Sequence, residues 1–325
     1  MSELLVRVIK IDSISEHPQA DRLEIIKAGG WQVVSGKGNY QVGQTAVYVP
    51  PDVMIPKALA DQWAVTQYLS WKKDATKGRV KTVKLRGISS YGFLAPNDLN
   101  AEVGENLAER LEIEKYEEPV PIGMQAGQMA KNHPLFHKYT DIQNLRNYPD
   151  KIDYGQPILI TEKLHGTNSR VGWVRTPDSE NGGMSDYFQK VVGTHNTQRK
   201  FEDSGVYGLP WQRHGEAMNK LFDYIKCSSA NLDSLIVFGE IYGVGVQDLH
   251  YGAKQEKGYR VFDIAINGEY MDWEAMKGIC QNVGLPVVPE LAVGVFTFEQ
   301  LVEMSQGNTK LSDTHTMEGT VVRPL

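Results

Sequence analysis

Residues 160–173 read ITEKLHGTNSRVGW, and this stretch decides how the second half of the chain is interpreted. The apolar run over residues 157–160 predicts a buried strand, which would place Lys163 near the floor of a cleft. Burial favours the neutral amine, which is a nucleophile, and Gly166 would let a phosphate or a ribose approach the backbone. A lysine after an apolar run is more often the point where a chain surfaces. The neighbouring motifs therefore have to decide between the two interpretations.

Length and composition are those of an ordinary globular protein. The chain has 325 residues, 41% of them hydrophobic and 23% charged, which is enough for two domains. The net charge of −6 does not favour general nucleic-acid binding, although it allows a local basic stripe. No apolar run is long enough to cross a bilayer, and MSELLVRVIK predicts a strand rather than a signal peptide. Cys227 and Cys280 form neither a metal motif nor a disulfide framework, so we expect a cytoplasmic protein without membrane partners.

The chain divides into two halves with different patterns. Up to about residue 95, short segments such as LVRVIKI, EIIKA, WQVVS, TAVYV, VKTVKL and YGFLAP predict a small β-barrel. Beyond a charged and then Pro- and Gly-rich stretch, strands such as PILITEKL, SRVGWV, KVVGTH and SLIVFGEIYG mix with helical segments such as MNKLFDYIKCS and MKGICQNVG. We predict a barrel domain over residues 1–120, a linker over 121–135 and an α+β domain over 136–325.

Three further segments have chemistry compatible with a site around Lys163. VFGEIYG places Glu240 between glycines at the end of an apolar strand, although a β-turn with an exposed carboxylate gives the same pattern. YRVFDI places Phe262 beside Asp263 inside an apolar strand, where an acid is costly unless it is paired or binds a metal. MEGTVVRP presents Glu318 before a strand. Each segment alone is a weak signal.

In this order, the four segments resemble the motifs of the covalent nucleotidyltransferase superfamily, which comprises polynucleotide ligases and mRNA capping enzymes. Those motifs are K-x-(D/H)-G, a glutamate in a strand, an aromatic–acid pair and E-G-x-V-(K/R). DNA ligases and capping enzymes usually have Asp where this chain has His165. EKLHGTN, FGEIYG and VFDI are most similar to RNA ligases of the RNA ligase 2 and kinetoplastid editing-ligase group.

The first half is similar to OB-fold modules, on residues 17–50 and 83–96. A barrel of this kind in front of the transferase resembles the RNA ligase 5-like family. The resemblance implies two domains: an N-terminal all-β OB-fold barrel and a C-terminal α+β nucleotidyltransferase domain of the ATP-grasp-like ligase adenylation type.

The activity that the resemblance implies is ATP-dependent RNA ligation. Lys163 would attack the α-phosphorus of ATP and hold AMP as lysyl-AMP. The AMP would pass to a 5′-phosphate, which a 3′-hydroxyl would then attack. The implied cofactors are ATP and Mg²⁺ (or Mn²⁺), and the implied partner is RNA or a nicked RNA/DNA duplex. We expect the protein to act as a monomer.

The resemblance also implies roles for single residues. A nucleotide pocket would be lined by Glu162, Leu164, Asn168, Glu240 and Phe262, with the phenyl ring stacked on the adenine. Metal ligands would come from Glu240, Glu318 and Asp263, since Mg²⁺ takes carboxylates. IAINGEYMD predicts a hairpin at Asn267-Gly268 that puts Glu269 opposite Ile266, and this makes Glu269 a fourth candidate metal ligand. A solvated carboxylate beside a turn explains Glu269 about as well.

Three positively charged or ionisable residues are further candidates for nucleotide contacts. Arg146 could reach the ATP phosphates, because a guanidinium suits phosphate, but a plain surface arginine is about equally plausible. GTHN places His195 where related ligases have the arginine of Ser-Arg-Asn, and His195 can donate a hydrogen bond without a guaranteed charge. Arg199 is close enough in sequence to substitute for that arginine, so both assignments stay open.

A basic run in the barrel is the candidate RNA contact. WKKDATKGRVKTVKLRG, residues 71–87, would present Arg79 and Lys81 on one face of a strand. OB barrels commonly bind nucleic acid through such a groove, whereas a charged edge strand can also simply prevent aggregation. The predicted RNA-binding residues are Lys72, Lys73, Arg79, Lys81, Lys84 and Arg86.

The end of the sequence limits the resemblance. The family pattern continues past E-G-x-V-(K/R)-P to a strand with a Lys-x-Lys pair, and this sequence ends at Leu325. We therefore expect the 325-residue chain to bind ATP and to adenylylate Lys163 slowly or not at all. The alternatives are an RNA-binding protein with an inactive transferase domain, a GTP-using capping enzyme or a DNA ligase. His165 argues against the last two.

Overall fold

The computed structural model describes residues 4–72, 75–116, 129–177, 184–247, 249–313 and 315–325. The chain forms two units. The first comprises Met1–Pro119 and Asp141–Lys151, and the second comprises Val120–Thr140 and Ile152–Leu325. Most of the predicted linker, residues 121–128, lies outside the described residues.

Among the described residues, the first unit is a curled β structure with one short α-helix. Its elements are β1 (Arg7–Glu16), β2 (Leu23–Ala28), β3 (Trp31–Gly36), β4 (Thr45–Val49), β5 (Val53–Pro56), α1 (Lys57–Gln62), β6 (Lys77–Arg79), β7 (Val83–Leu85), β8 (Ile88–Ser90), β9 (Phe93–Pro96) and β10 (Glu114–Lys115). One sheet has the order β3-β2-β1-β4-β9, a second has β10-β5-β6, and β7 and β8 form a separate hairpin.

A β-bulge lets β1 pair with both of its neighbours. Residues from Arg7 to Lys10 pair with β4, whereas residues from Ile11 onward pair with β2, and the register shifts between Ile11 and Ser13. A bulge bends and twists a strand, so it curls the sheet around a core of buried valines and isoleucines. That core includes Val8, Val47 and Ile55.

The basic run does not form the single strand that the sequence predicted. Strand β6 ends at Arg79 and β7 begins only at Val83, so Arg79 and Lys81 do not alternate along one strand. Leu85 pairs with Ile88 across a two-residue turn, in which Arg86 has φ +45° and Gly87 has φ +87°. Two positive φ angles are typical of the tight turn that matches the twist of a hairpin. This turn lies at the end of the basic run, and the break between β6 and β7 divides it.

One segment belongs to a different unit from the one that the sequence predicted. Asp141–Lys151 falls within the predicted α+β domain but packs with the barrel. Arg7 Nη1 donates a 2.6 Å hydrogen bond to the carbonyl oxygen of Asn147. The guanidinium carbon of Arg146 lies 5.4 Å from the centre of the Trp31 ring. These contacts join residues more than a hundred positions apart, and no local pattern predicts them.

Among the described residues, the second unit contains two antiparallel sheets and three α-helices. Its elements are β11 (Ile158–Lys163), β12 (Thr167–Pro177), β13 (Met184–Gly193), β14 (Gln198–Arg199), α2 (Leu209–Ser228), β15 (Ser234–Gly243), β16 (Lys257–Ile266), β17 (Glu269–Tyr270), α3 (Trp273–Val283), β18 (Glu290–Gly294), α4 (Phe298–Met304) and β19 (Gly319–Pro324). The larger sheet has the order β14-β13-β12-β15-β16-β17, and the smaller has β18-β11-β19. The predicted strands and both predicted helices are present.

Apolar side chains on one face of β12 and β15 pack against α2 and α3. Val171, Leu235 and Val237 are fully buried there together with Met218 and Met276 of the two helices. Helix α3 begins at an Asp272 cap, whose carboxylate accepts from the N–H groups of Glu274 and Ala275, and it ends at Gly284 with φ +83°. Within the described ranges, no helix is long and apolar enough to span a membrane.

Candidate active site

Lys163 is the last residue of β11, and it lies directly beside the start of β19. It pairs in register with Gly319, and its Nζ donates a hydrogen bond to the carboxylate of Glu318. The lysine side chain is 52% exposed, whereas that of Glu318 is 28% exposed. The expectation from the sequence that Lys163 is buried is therefore wrong. Strand pairing, rather than burial, fixes where this amine lies.

The turn after Lys163 crosses from one sheet to the other. Leu164 is buried in the main core, and His165 Nδ1 lies 3.6 Å from Glu318 Oε2. A Cβ on Gly166 would lie 2.1 Å from the carbonyl oxygen of Ile241. The close approach of β15, rather than of a ligand, therefore explains the glycine.

Glu240 faces the same region from β15. It is the direct cross-strand neighbour of Asn168 on β12. Burial raises the pKa of Glu240 to about 8, the charge of Lys163 opposes this rise, and the charge of Glu318 adds to it. These mutual effects place Lys163, Glu240 and Glu318 in one electrostatic cluster.

Glu318 is kept ionised by its neighbours. Burial by itself raises the pKa of Glu318, but the contacts with His165 and the charge of Lys163 bring that pKa below its ordinary value. The two acids of the cluster therefore have opposite pKa shifts, and Glu318 is the one that carries the negative charge beside the lysine.

Two buried oxygen atoms near the cluster have unused hydrogen-bonding capacity. Oδ1 of Asn168 and Oε1 of Glu162 find no hydrogen-bond partner within the part of the chain that the structure describes. The other oxygen of Glu162 accepts from the backbone N–H of Lys310 at 2.9 Å. Buried polar atoms normally find partners, so these two atoms are suited to a polar ligand.

Family comparisons assign both halves of the chain. A model described as RNA ligase matches residues 156–325, which is more than half of the chain. The chain belongs to the RNA ligase family. A second model, described as an OB-fold domain, matches residues 5–97 of this ligase. The predicted family, the enzyme class and the order of the two domains are confirmed.

Solved structures of Naegleria gruberi RNA ligase share the fold of this RNA ligase. A lysine-to-alanine mutant with ATP and Mn matches with a TM-score of 0.75 and 23% identity, over 99% of this chain and 94% of that chain. A structure with PPi matches with a TM-score of 0.71 and 23% identity, over 99% and 93%. A glutamate-to-alanine mutant with AMP and Mn gives 0.74 and 22%, over 99% and 94%. Curated protein sequences gave no significant match.

Phe262 occupies a β-bulge of the ligase domain. Phe238 pairs with Asp263, whereas the next residue, Gly239, pairs with Val261, so Phe262 is the extra residue. A bulge redirects a side chain. The Phe262 ring is partly buried and meets the Tyr139 ring edge-on at 4.9 Å. Its predicted contact with adenine stays a prediction.

Asp263 has a different environment from the one predicted. Its Oδ2 accepts from Arg323 Nη2 at 2.6 Å and from the Tyr139 hydroxyl at 2.9 Å, and its Oδ1 accepts from the Ile264 N–H. Burial raises the pKa of Asp263 even though Arg323 and Tyr139 oppose the rise. Asp263 is thus an ion-pair partner within the fold, and the described contacts do not bring it to the Lys163 cluster.

The hairpin that the sequence predicted is present and contains Glu269, but the side chain of Glu269 lies on the surface. Glu269 pairs with Ile266, and Asn267 and Gly268 have φ +53° and +89°. Glu269 is exposed. Over the described ranges, no three His, Cys, Asp or Glu side chains converge as a ready-made metal site. The four predicted metal ligands are therefore not assembled, and only Glu240 and Glu318 lie near Lys163.

The remaining nucleotide candidates have partners of their own. His195 lies half-buried in the turn between β13 and β14. Arg199 is buried with its guanidinium carbon 4.9 Å from the Tyr207 ring. Arg146 belongs to the first unit. The roles of all three toward ATP stay predictions.

The predicted RNA contacts separate into two kinds. Arg79 donates to Asp52 at 2.6 Å and stacks on the Tyr116 ring at 3.7 Å, so it stabilises the barrel. Lys73 lies outside the described residues. The exposed members are Lys72, Lys81, Lys84 and Arg86.

Sequence reasoning did not identify one residue of this region. The hydroxyl of Tyr251 accepts a 2.7 Å hydrogen bond from the N–H of His165. Tyr251 lies in DLHYGAK, which has neither strand nor helix periodicity. No sequence signal was available, because the contact joins residues 86 positions apart.

Proposed function

We propose that this RNA ligase joins a 3′-hydroxyl and a 5′-phosphate of RNA with ATP, through an AMP held covalently on Lys163. The observation that supports this most is the pairing of Lys163 with Glu318 at the adjoining ends of β11 and β19. A half-exposed amine at a strand end, oriented by a charged carboxylate, is accessible to a nucleotide and has a defined position. Both are needed for in-line attack on phosphorus.

ATP and a divalent cation are the proposed cosubstrate and cofactor. The Naegleria gruberi ligase has been solved with ATP and Mn and with AMP and Mn. In this chain, the free oxygen atoms of Asn168 and Glu162 fit a polar ligand. Glu240 and Glu318 would hold Mg²⁺ or Mn²⁺, since Mg²⁺ commonly takes one or two carboxylates together with substrate phosphates. The ion would neutralise charge on the phosphates.

The first step forms a nitrogen–phosphorus bond and breaks a phosphorus–oxygen bond. The Lys163 amine loses a proton to solvent and attacks the α-phosphorus of ATP, and pyrophosphate leaves with the bonding electron pair. Glu318 orients the amine through its hydrogen bond. Positioning and charge neutralisation provide most of the catalysis in such reactions.

The later steps transfer the AMP and seal the strand. The 5′-phosphate oxygen of RNA attacks the AMP phosphorus and frees Lys163. A 3′-hydroxyl then attacks the activated 5′-phosphorus, which forms the phosphodiester and releases AMP. Exposed basic residues of the barrel, Lys72, Lys81, Lys84 and Arg86, are the proposed RNA contacts.

Covalent labelling with ATP tests the proposal. During a long incubation with ATP and Mg²⁺, the wild-type chain should gain the mass of one AMP on the peptide that contains Lys163, because the sequence predicts that adenylylation is slow. Lys163→Ala lacks the nucleophilic amine and should gain no AMP. Lys163→Arg should gain none either, because a guanidinium stays protonated at working pH. Lys220→Ala is the matched control, since Lys220 also pairs with a glutamate, Glu216, but on the surface of α2. An AMP adduct on the Lys163→Ala chain would contradict the assignment.

The two acids of the cluster are tested in the same assay. Glu318→Gln should slow labelling about 100-fold or more, because the change removes a charge and leaves the shape. Glu240→Gln should slow it similarly, because an amide cannot replace the carboxylate that Glu240 would offer to the metal ion. Glu269→Gln should label normally, since Glu269 is exposed on β17. RNA binding by a wild-type chain that takes no AMP would favour an inactive transferase domain instead.

A further inference from the structure

Tyr251 connects two parts of the ligase domain that are distant in sequence. It lies in the turn between β15 and β16 and is only 3% exposed. Its ring meets the Tyr242 ring edge-on at 5.6 Å, and both rings belong to the main core. Its hydroxyl oxygen accepts the 2.7 Å hydrogen bond from the His165 N–H. A buried ring thus presents one polar atom to the turn that follows Lys163.

The hydrogen bond holds the centre of the reactive segment. His165 lies between Lys163 and Gly166, and its imidazole is 3.6 Å from the carboxylate of Glu318. Glu318 in turn accepts from Lys163. Fixing the backbone at His165 therefore restrains the lysine and also the imidazole that contacts its carboxylate partner.

The backbone at Tyr251 has an unusual conformation. Its φ is +49°, and that of Gly252 is +82°. A bulky residue adopts positive φ only where surrounding contacts impose it. The turn is closed by hydrogen bonds from the Ala253 N–H to the His250 carbonyl at 2.8 Å and from the Gly252 N–H to His250 Nδ1 at 3.1 Å. Strain of this kind is often found at functional sites.

The same turn also contacts the segment that leads to Glu318. The rings of His250 and His315 meet edge-on with their centres 4.1 Å apart. His315 precedes Glu318 by three residues, and its carbonyl accepts from the Thr309 N–H at 3.0 Å. The turn at Tyr251 thus touches the segment that carries the lysine and the segment that carries its acid.

We propose that Tyr251 is a positioning residue that holds the Lys163 turn in the geometry needed for attack on the nucleotide, through the hydrogen bond from the His165 N–H to its hydroxyl. The inference rests on the proposed AMP transfer to Lys163. Tyr251 makes no contact with the nucleotide in this role, so the effect of Tyr251 is on the rate of the covalent step rather than on ATP binding.

The protonation state of Tyr251 suits this role. Burial raises the pKa of Tyr251 to about 12, and the charges of Glu318, Glu162 and Glu240 add to that rise. The hydroxyl is therefore neutral at physiological pH, and it accepts the amide hydrogen bond without adding another negative charge to a region with three acids.

A single hydroxyl deletion tests the inference. Tyr251→Phe keeps the ring, and Tyr242→Phe is the matched control because it removes one hydroxyl from the other ring of the same pair. Single-turnover transfer of AMP to Lys163 is measured over a range of ATP concentrations. Tyr251→Phe should lower the maximal rate constant about 10- to 100-fold. Its half-saturating ATP concentration should stay within about twofold of wild type, and Tyr242→Phe should behave as wild type.

Hydrogen exchange gives a second reading that does not depend on activity. The amide of His165 should exchange about tenfold faster in the Tyr251→Phe chain than in wild type or in Tyr242→Phe, since its hydrogen bond is lost. Thermal unfolding of all three chains establishes that the variants are folded under the assay conditions.

The outcomes separate the inference from the function on which it rests. A wild-type chain that takes no AMP overturns the proposed function and the inference with it. Wild-type labelling with an equal rate in Tyr251→Phe overturns the inference alone. Unchanged exchange at His165, or a loss confined to ATP affinity, also overturns it, because the effect would then not pass through the turn.

Discussion

At the scale of single residues, Gly166 is set by the neighbouring strand. A Cβ there would lie 2.1 Å from the Ile241 carbonyl oxygen, and the β15 backbone cannot move without breaking its pairing with β12. We expect Gly166→Ala to lower the free energy of unfolding by about 1–3 kcal/mol or more. Urea denaturation of the two chains measures the difference.

The control for this substitution is another Gly→Ala change in the same unit. Gly278 lies in α3, and a Cβ there meets nothing within 4 Å. Alanine is the better helix former, so Gly278→Ala should raise the free energy of unfolding by up to about 1 kcal/mol. Equal effects of the two substitutions would show that the contact with β15 is not what requires glycine at position 166.

Residue type and spacing were enough to find the nucleophile candidate, but they could not rank the acids. Glu240 lies at the end of an apolar strand pattern, Asp263 interrupts one and Glu318 precedes one, and all three looked equally available for a metal. The structure separates them by their partners: Lys163 lies beside Glu240 and Glu318, whereas Arg323 and Tyr139 bind Asp263. Those partners are 60 to 155 positions away in sequence.

At the scale of elements, the Asp263 ion pair connects the two sheets of the ligase domain. Asp263 is on β16 of the larger sheet, and Arg323 is on β19 of the smaller one. The side chain of Asp263 is only 3% exposed. Near neutral pH, we expect Asp263→Ala to destabilise the fold by about 1.5–3 kcal/mol, because Arg323 loses a charged partner and Tyr139 loses its acceptor. AMP labelling of the folded variant should persist, which would not hold if Asp263 were a metal ligand.

The stability contribution of Asp263 should depend on pH in a defined direction. Burial raises the pKa of Asp263 in the folded chain above its ordinary value, so the folded state binds this proton more tightly than the unfolded state. This difference in proton binding adds a stability term that is fully present at low pH and is lost as the pH rises from the ordinary carboxyl range through the folded pKa. The term is separate from the pairing with Arg323 and Tyr139 that Asp263→Ala removes near neutral pH. Asp263→Asn lacks this term. The stability of Asp263→Asn relative to wild type should therefore increase with pH over that range in urea denaturation, and a constant difference would contradict the raised pKa.

At the scale of the whole molecule, an acidic chain has to bind RNA through a local surface. The net charge is −6, yet Lys81, Lys84 and Arg86 are exposed in the first unit. We expect replacement of these three by alanine to weaken RNA binding. The slope of log affinity against log salt should fall in magnitude by about 2, since each phosphate contact releases counterions. Fluorescence anisotropy with a labelled RNA at several salt concentrations measures both quantities.

Three other lysines of the same unit provide a control with the same change of charge. Lys37, Lys57 and Lys77 each form an ion pair, with Glu16, Asp61 and Glu114 respectively. Their replacement by alanine should leave the salt slope near that of wild type. If both triple variants lose the same slope, binding follows net charge and not the surface around the β7–β8 hairpin.

The sequence by itself determined the family, the two-domain order, most strands, both long helices and the hairpin at Asn267-Gly268, and it singled out Lys163 as the candidate nucleophile. Local patterns specify these features, namely strand and helix periodicity, turn residues and short motifs along the chain. Local geometry depends on neighbours in sequence, so it can be inferred from them.

Only the tertiary structure decided which side chains meet. In the folded chain, Lys163 pairs with Glu318, and the Tyr251 hydroxyl accepts a hydrogen bond from the His165 amide. Asp263 forms an ion pair with Arg323, and Asp141–Lys151 packs with the barrel. Each of these contacts depends on sheet register and on how separate segments pack. A shift of one residue in register would turn each side chain to the other face of its sheet, so the partner of a residue is a property of the assembled fold.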